Sequence, residues 1–176
     1  FDPRKRHLEF IESVIKNNAT KSMKGCIVGR NPDNKGYVND AHRVLKGVRS
    51  LVENYKLDVD IFLNASQDTK KNLMLKSKVY VCPSSLDNGP RSMIEAGQAG
   101  CILLSLPHIG SSSVIQKNVT GEIARDVESM PKILEKIIIE HDTYDKLGVS
   151  KQVSPENVFP RLVQKIRRLY DDRFEQ

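Results

Sequence analysis

The sequence predicts a doubly wound α/β domain, a parallel sheet covered by helices on both faces. Three observations carry that expectation. Strand-like and helix-like segments alternate through at least four cycles. The strand-like segments are continuous apolar runs rather than alternating ones, as strands buried on both faces read. The densest turn chemistry, in GRNPDNKG and PSSLDNGP, follows directly on apolar runs, at the carboxyl edge where such sheets collect ligands.

Each element has its own signal. Leu8, Ile11, Val14 and Ile15 share a face over Arg4 to Asn17, which predicts a first helix. Lys24–Gly29 (KGCIVG) reads as a short strand, and the loop GRNPDNKG leads to a helix over Tyr37–Asn54. That helix places Val38, Ala41, Leu45, Val48 and Val52 on one side. Leu57–Leu63 is a second strand, and Asp68–Ser77 a helix with an acidic residue in its first turn. Val79–Cys82 is a strand that Pro83 stops, because proline has no N–H to give a ladder. Arg91–Ala99 is a helix with Gly100 as its C′ residue. Cys101–Leu106 is a strand, His108–Ser113 a polar loop, and Val114–Lys117 a short helix. Val119–Ala124 reads as an edge strand interrupted by Gly121. Met130–His141 is helical behind Pro131, and a last helix spans Pro155–Glu175.

Composition bounds the function. The 176 residues are 39% hydrophobic and 28% charged, enough for one domain, 1–176, with a sizeable core. No apolar run approaches the ~20 residues of a membrane span, and the opening FDPRKRH has no apolar signal-peptide centre. The chain begins without Met, as a piece of a longer protein would. The net charge of +6 favours an anionic partner. The cations are dispersed and aromatics are only 6%, with no Trp, which argues against nucleic acid. Cys26, Cys82 and Cys101 lie in or beside apolar runs, without metal-ligand spacing. They read as small buried thiols in a reducing compartment.

Two loops carry the chemistry. In Gly29–Gly36, Arg30 and Lys35 stand five apart at the end of the first strand. A guanidinium fork and a movable ammonium suit phosphate oxygens, although the same pair would serve as ordinary solvated cations. In Val79–Gly100, a strand, a sharp loop and a helix follow one another, and free amides at a helix start accept anions. Asp87 and Glu95 flank that helix start with seven residues between them. Asp87 alone also reads as a turn or cap residue, and Glu95 as a surface helix residue. The histidines His7, His42, His108 and His141 are scattered and receive no catalytic role.

Taken together, VGRNPDNKG, PSSLDNGPRSMIEAGQAG, the strand after it, PHIGSSSVI and NVTG resemble the donor-binding half of GT-B glycosyltransferases. More narrowly, they resemble family 4, the retaining group 1 enzymes, over about Cys26 to Gly121. The resemblance implies a Rossmann-like domain, one half of a GT-B architecture, whose acceptor domain lies upstream. It implies that Arg30 and Lys35 neutralise the diphosphate of a nucleotide-sugar and that Glu95 binds the ribose hydroxyls. Asp87 would bind sugar hydroxyls, while Asn88, Gly89, Pro90, Arg91 and Ser92 wrap sugar and phosphates. No cofactor is expected beyond the nucleotide-diphosphate sugar as co-substrate, and no metal. The expected enzyme passes a glycosyl group, with retention, to a glycan, lipid or protein acceptor. It would be cytoplasmic, with peripheral membrane association left open.

The pattern departs from the family at two positions. Asp87 stands where Glu is usual, one methylene shorter, and Ser113 where Glu is common. Two other classes therefore remain open at this point: a non-catalytic nucleotide-sugar binding module, and a nucleotide-sugar epimerase of GT-B architecture.

Overall fold

A computed structural model describes residues 1–17, 23–31, 38–87 and 91–153. Pro3–Lys5 forms a single 3₁₀ turn. It is followed by α1 (His7–Lys16), β1 (Gly25–Gly29), α2 (Val38–Asn54), β2 (Val59–Leu63), α3 (Gln67–Lys76) and β3 (Val79–Cys82). Then come α4 (Arg91–Gln98), β4 (Ile102–Ser105), α5 (Ile109–Val114), β5 (Gly121–Ile123), α6 (Met130–Ile139), a second 3₁₀ turn (His141–Thr143) and α7 (Gly148–Val153). Every pairing among the described strands is parallel. The described strands pair in two groups, β1 with β2 and β3-β4-β5.

The expected covering of both faces is clearest on β4. Leu103 belongs to one apolar cluster with Met93 and Ala96 of α4, Val114 of α5 and Val149 of α7. Its neighbours Ile102 and Leu104 belong to another, with Val127, Met130, Ile137 and Tyr144. Successive side chains of a strand point to opposite faces, so this partition puts helices on both. A third cluster joins Phe1, α1 and α2 to the partly buried residues of β1 and β2, and Phe10 packs against both it and the second cluster.

Loop chemistry shaped several element ends. Gly100 has φ 92°. The Cys101 N–H donates to the Ala96 carbonyl at 3.0 Å, and the Gly100 N–H to that of Gly97 at 3.1 Å. This is a Schellman closure of α4, and the left-handed φ is what requires glycine. At the other end of the chain, Glu122 is buried but accepts from the Tyr144 hydroxyl at 2.9 Å and from Lys136 Nζ at 3.2 Å. Those bonds spare it the cost of an unpaired buried carboxylate.

Four expectations need correction. The first helical segment is split: Arg6, at φ 52°, separates the 3₁₀ turn from α1. The expected polar loop His108–Ser113 holds a helix instead, because His108 caps it, and Ile115–Lys117 is not helical. Gly121 opens β5 rather than interrupting a longer strand. A Cβ there would lie 2.0 Å from the Leu103 carbonyl oxygen, so the backbones approach closely. Cys26 is exposed, unlike Cys82 and Cys101. It sits in register with exposed Asp60, on a face of the β1–β2 pair turned to water. The expected helix Pro155–Glu175 lies outside the described residues.

Two outcomes follow from this packing. A Cβ on Gly97 would sit 2.7–2.8 Å from three atoms of Val149, so α4 and α7 meet through a missing side chain. Gly97→Ala is expected to cost about 1–3 kcal/mol in urea unfolding, and Val149→Ala in the same chain to recover part of it. Additive losses would show that the two helices are not in contact there.

His7 lies under Phe1, ring centroids 5.3 Å apart, and its Nδ1 is buried with no partner among the described residues. Burial chiefly, with Lys5 adding, lowers its pKa from 6.5 to about 4. The unfolded ring thus takes up a proton near pH 6.5 that the folded ring refuses until about pH 4. Stability from neutral His7 is complete above that window and is lost as the pH falls through it. Urea midpoints should drop between those limits, and His7→Phe should flatten the slope. An unchanged slope would remove His7 as the cause.

Candidate functional site

The carboxyl end of β1 is held by one residue of β2's exit. Asn64 adopts φ 51°. Its N–H donates to the Gly29 carbonyl at 2.9 Å, and its Oδ1 accepts from the Asn31 N–H at 2.9 Å. Arg30 is thereby fixed through the backbone on both sides while its side chain stays exposed. Beneath it Phe1 closes on Gly29, where a Cβ would come within 2.7 Å of the ring. Lys35 lies outside the described residues.

The loop after β3 is knotted to the beginning of the chain. Ser84 is fully buried. Its hydroxyl is shared between the Leu86 carbonyl at 3.0 Å and the Arg4 carbonyl at 3.3 Å. Asp87 Oδ2 accepts from Lys5 Nζ at 2.9 Å, and the Asp87 carbonyl accepts from the Gly110 N–H at 3.0 Å. The exits of β3 and β4 are therefore tied together. A recess of about 260 Å³ opens here, lined by Asp2, Arg4, Lys5, Leu86 and Asp87. Asn88, Gly89 and Pro90 lie outside the described residues.

Met93, Ala96 and Gly97 bury one face of α4, leaving Arg91, Ser92 and Glu95 exposed. The Ser92 hydroxyl shares a hydrogen bond with the Tyr80 hydroxyl, 2.8 Å away. Tyr80 is pushed up to about 12, first by burial, with Cys82, Asp87 and Glu95 adding and the Ser92 bond opposing.

His108 is a structural residue at this edge. Its Nδ1 accepts from the Ser111 N–H at 3.0 Å, and Ser111 Oγ accepts from the His108 N–H at 3.0 Å, a reciprocal capping box. With Nδ1 accepting, the ring proton belongs on Nε2, which faces Ser105 Oγ at 3.1 Å. Burial holds the His108 pKa below the usual value.

Sequence reasoning found Asp87, Arg91, Ser92 and Glu95 on one loop and helix, and expected Gly110–Ser113 to close the far side, but missed Lys5, Asn64, Ser84 and Tyr80. The Asn directly after the second strand, a residue that tolerates left-handed backbone, was the one available signal. No group of three or more His, Cys, Asp or Glu among the described residues could hold a metal ion. No described helix is long and apolar enough to cross a membrane.

Three comparisons bear on this geometry. Residues 1–152 match the family model described as glycosyl transferases group 1. Among solved structures, the chain is similar to HepE of Anabaena, crystallised in complex with UDP and glucose. The TM-score is 0.64 at 13% identity, over 87% of this chain and 44% of HepE. The chain thus spans less than half of that structure's length. Among curated proteins, no sequence matches.

The Asn64 knot gives a direct test. Asn64→Gly keeps the left-handed backbone and loses the side-chain acceptor, at about 1 kcal/mol. Asn64→Ala loses both, adding about 1–2 kcal/mol for a left-handed non-glycine residue. Urea midpoints in the order wild type, Gly, Ala are expected, and equal midpoints would show that Asn64 does not hold the β1 exit.

Proposed function

The chain belongs to the group 1 glycosyltransferases, as a Rossmann-like domain of the GT-B kind, and from that premise we propose that it is the donor-binding half of a retaining transferase. It takes a nucleotide-diphosphate sugar, and an acceptor domain elsewhere in the protein presents a glycan, lipid or protein hydroxyl. The observation that carries this reading is that the exits of β3 and β4 meet at Asp87, whose carbonyl accepts from the Gly110 N–H at 3.0 Å beside the recess that Asp87 lines. Nucleotide and sugar in the HepE crystal support the ligand class.

The proposed chemistry follows from charge. The departing diphosphate gains negative charge in the transition state. Arg30, Lys35 and the amides at the start of α4 supply positive charge that lowers its energy there. Glu95, on the exposed face of α4, accepts from the ribose diol, a match that suits a carboxylate. Asp87 accepts from the sugar hydroxyls. Asn88, Gly89, Pro90, Arg91 and Ser92 surround the sugar and phosphates, and glycine at position 89 lets the backbone come close. Arg30 and Lys35 take the part that a divalent cation plays elsewhere, so transfer needs no metal. The protein works in the cytoplasm, alone or at a membrane surface.

The test is transfer of labelled sugar by the full-length protein. Glu95→Ala should abolish it, and Arg30→Ala with Lys35→Ala should lower it about a hundredfold or more, while EDTA should leave it unchanged. Activity persisting in the double variant would overturn the site. Donor binding without transfer would identify a binding module, and sugar isomerisation without an acceptor an epimerase.

A further inference from the structure

We propose that Lys5 is a positioning residue for sugar recognition: it holds the Asp87 carboxylate in the orientation in which that group meets the donor's hydroxyls. The inference rests on the donor reading above and extends it to a residue 82 positions away in sequence.

The ammonium is delivered by a fixed piece of backbone. Asp2 caps the 3₁₀ turn, its carboxylate accepting from the Arg4 N–H at 2.9 Å and from the Arg4 guanidinium. The Lys5 N–H donates to the Asp2 carbonyl at 2.9 Å, and the Arg6 N–H to that of Pro3 at 2.9 Å. The same turn is fastened to the loop after β3 by the buried Ser84 hydroxyl, which reaches the Arg4 carbonyl. Lys5 therefore meets Asp87 from a platform that moves with the loop. Both residues line the open recess of about 260 Å³ at the sheet's carboxyl edge.

Magnitude separates orientation from stability. The Lys5 side chain is 43% exposed and that of Asp87 19%. With the ammonium half in water, the pair adds little to folding. A carboxylate that must meet several hydroxyls at once depends much more on its direction.

The experiment is calorimetric titration of the full-length protein. The probes are the best-bound member of a UDP-, GDP-, ADP- and TDP-glucose panel and the corresponding nucleoside diphosphate. Lys5→Met should weaken the sugar nucleotide about fivefold to tenfold and change the nucleoside diphosphate by less than about twofold. Lys5→Arg should restore the sugar nucleotide. On an Asp87→Asn background, Lys5→Met should have no further effect. Equal weakening of both ligands, no weakening, failure of Lys5→Arg to restore binding, or additivity with Asp87→Asn would each overturn this inference alone. If the wild type binds no sugar nucleotide, the donor reading falls and this one with it.

Discussion

Burial of β4 on both faces is the constraint on which the rest depends. Ile102, Leu103 and Leu104 are essentially inaccessible to solvent, and they divide between two clusters on opposite sides. β3, β4 and β5 are joined by helical crossovers, which return the chain in the same direction. The parallel pairing of β3, β4 and β5 therefore brings the exits of β3 and β4 to one edge. The Asp87–Gly110 hydrogen bond could not form otherwise. The site is a by-product of the apolar core before it is anything else.

The order of elements was legible in the sequence because apolar runs and turn residues are local signals. The β3–α4 segment was legible in detail: Pro83 ends the strand, α4 begins at Arg91, and Gly100 closes it. His108 was misplaced because its capping bonds compete with the polar-loop reading that three successive serines suggest. Gly121 was read as a strand breaker because sequence does not show a backbone approaching from another strand.

Within the candidate site, legibility divided along the same line. Asp87, Arg91, Ser92 and Glu95 belong to one short segment whose spacing can be read directly. Lys5 and Asn64 reach the loops from 82 and 33 residues away. Nothing in FDPRKRH distinguishes Lys5 from Arg4 or Arg6 until the 3₁₀ turn and the left-handed Arg6 set their directions. Long-range polar contacts of this kind are specified by folding, not by pattern.

The outward turn of Cys26 has a practical side. Cys82 and Cys101 are enclosed; partial burial and Asp60 raise the Cys26 pKa as burial raises theirs, so exposure alone sets Cys26 apart. A thiol-directed dye offered to the native protein therefore has one accessible address among the three cysteines. That address lies on the β1 strand that leads into Arg30, four residues before it. A fluorophore attached there would report on the β1 exit without any engineering of the chain.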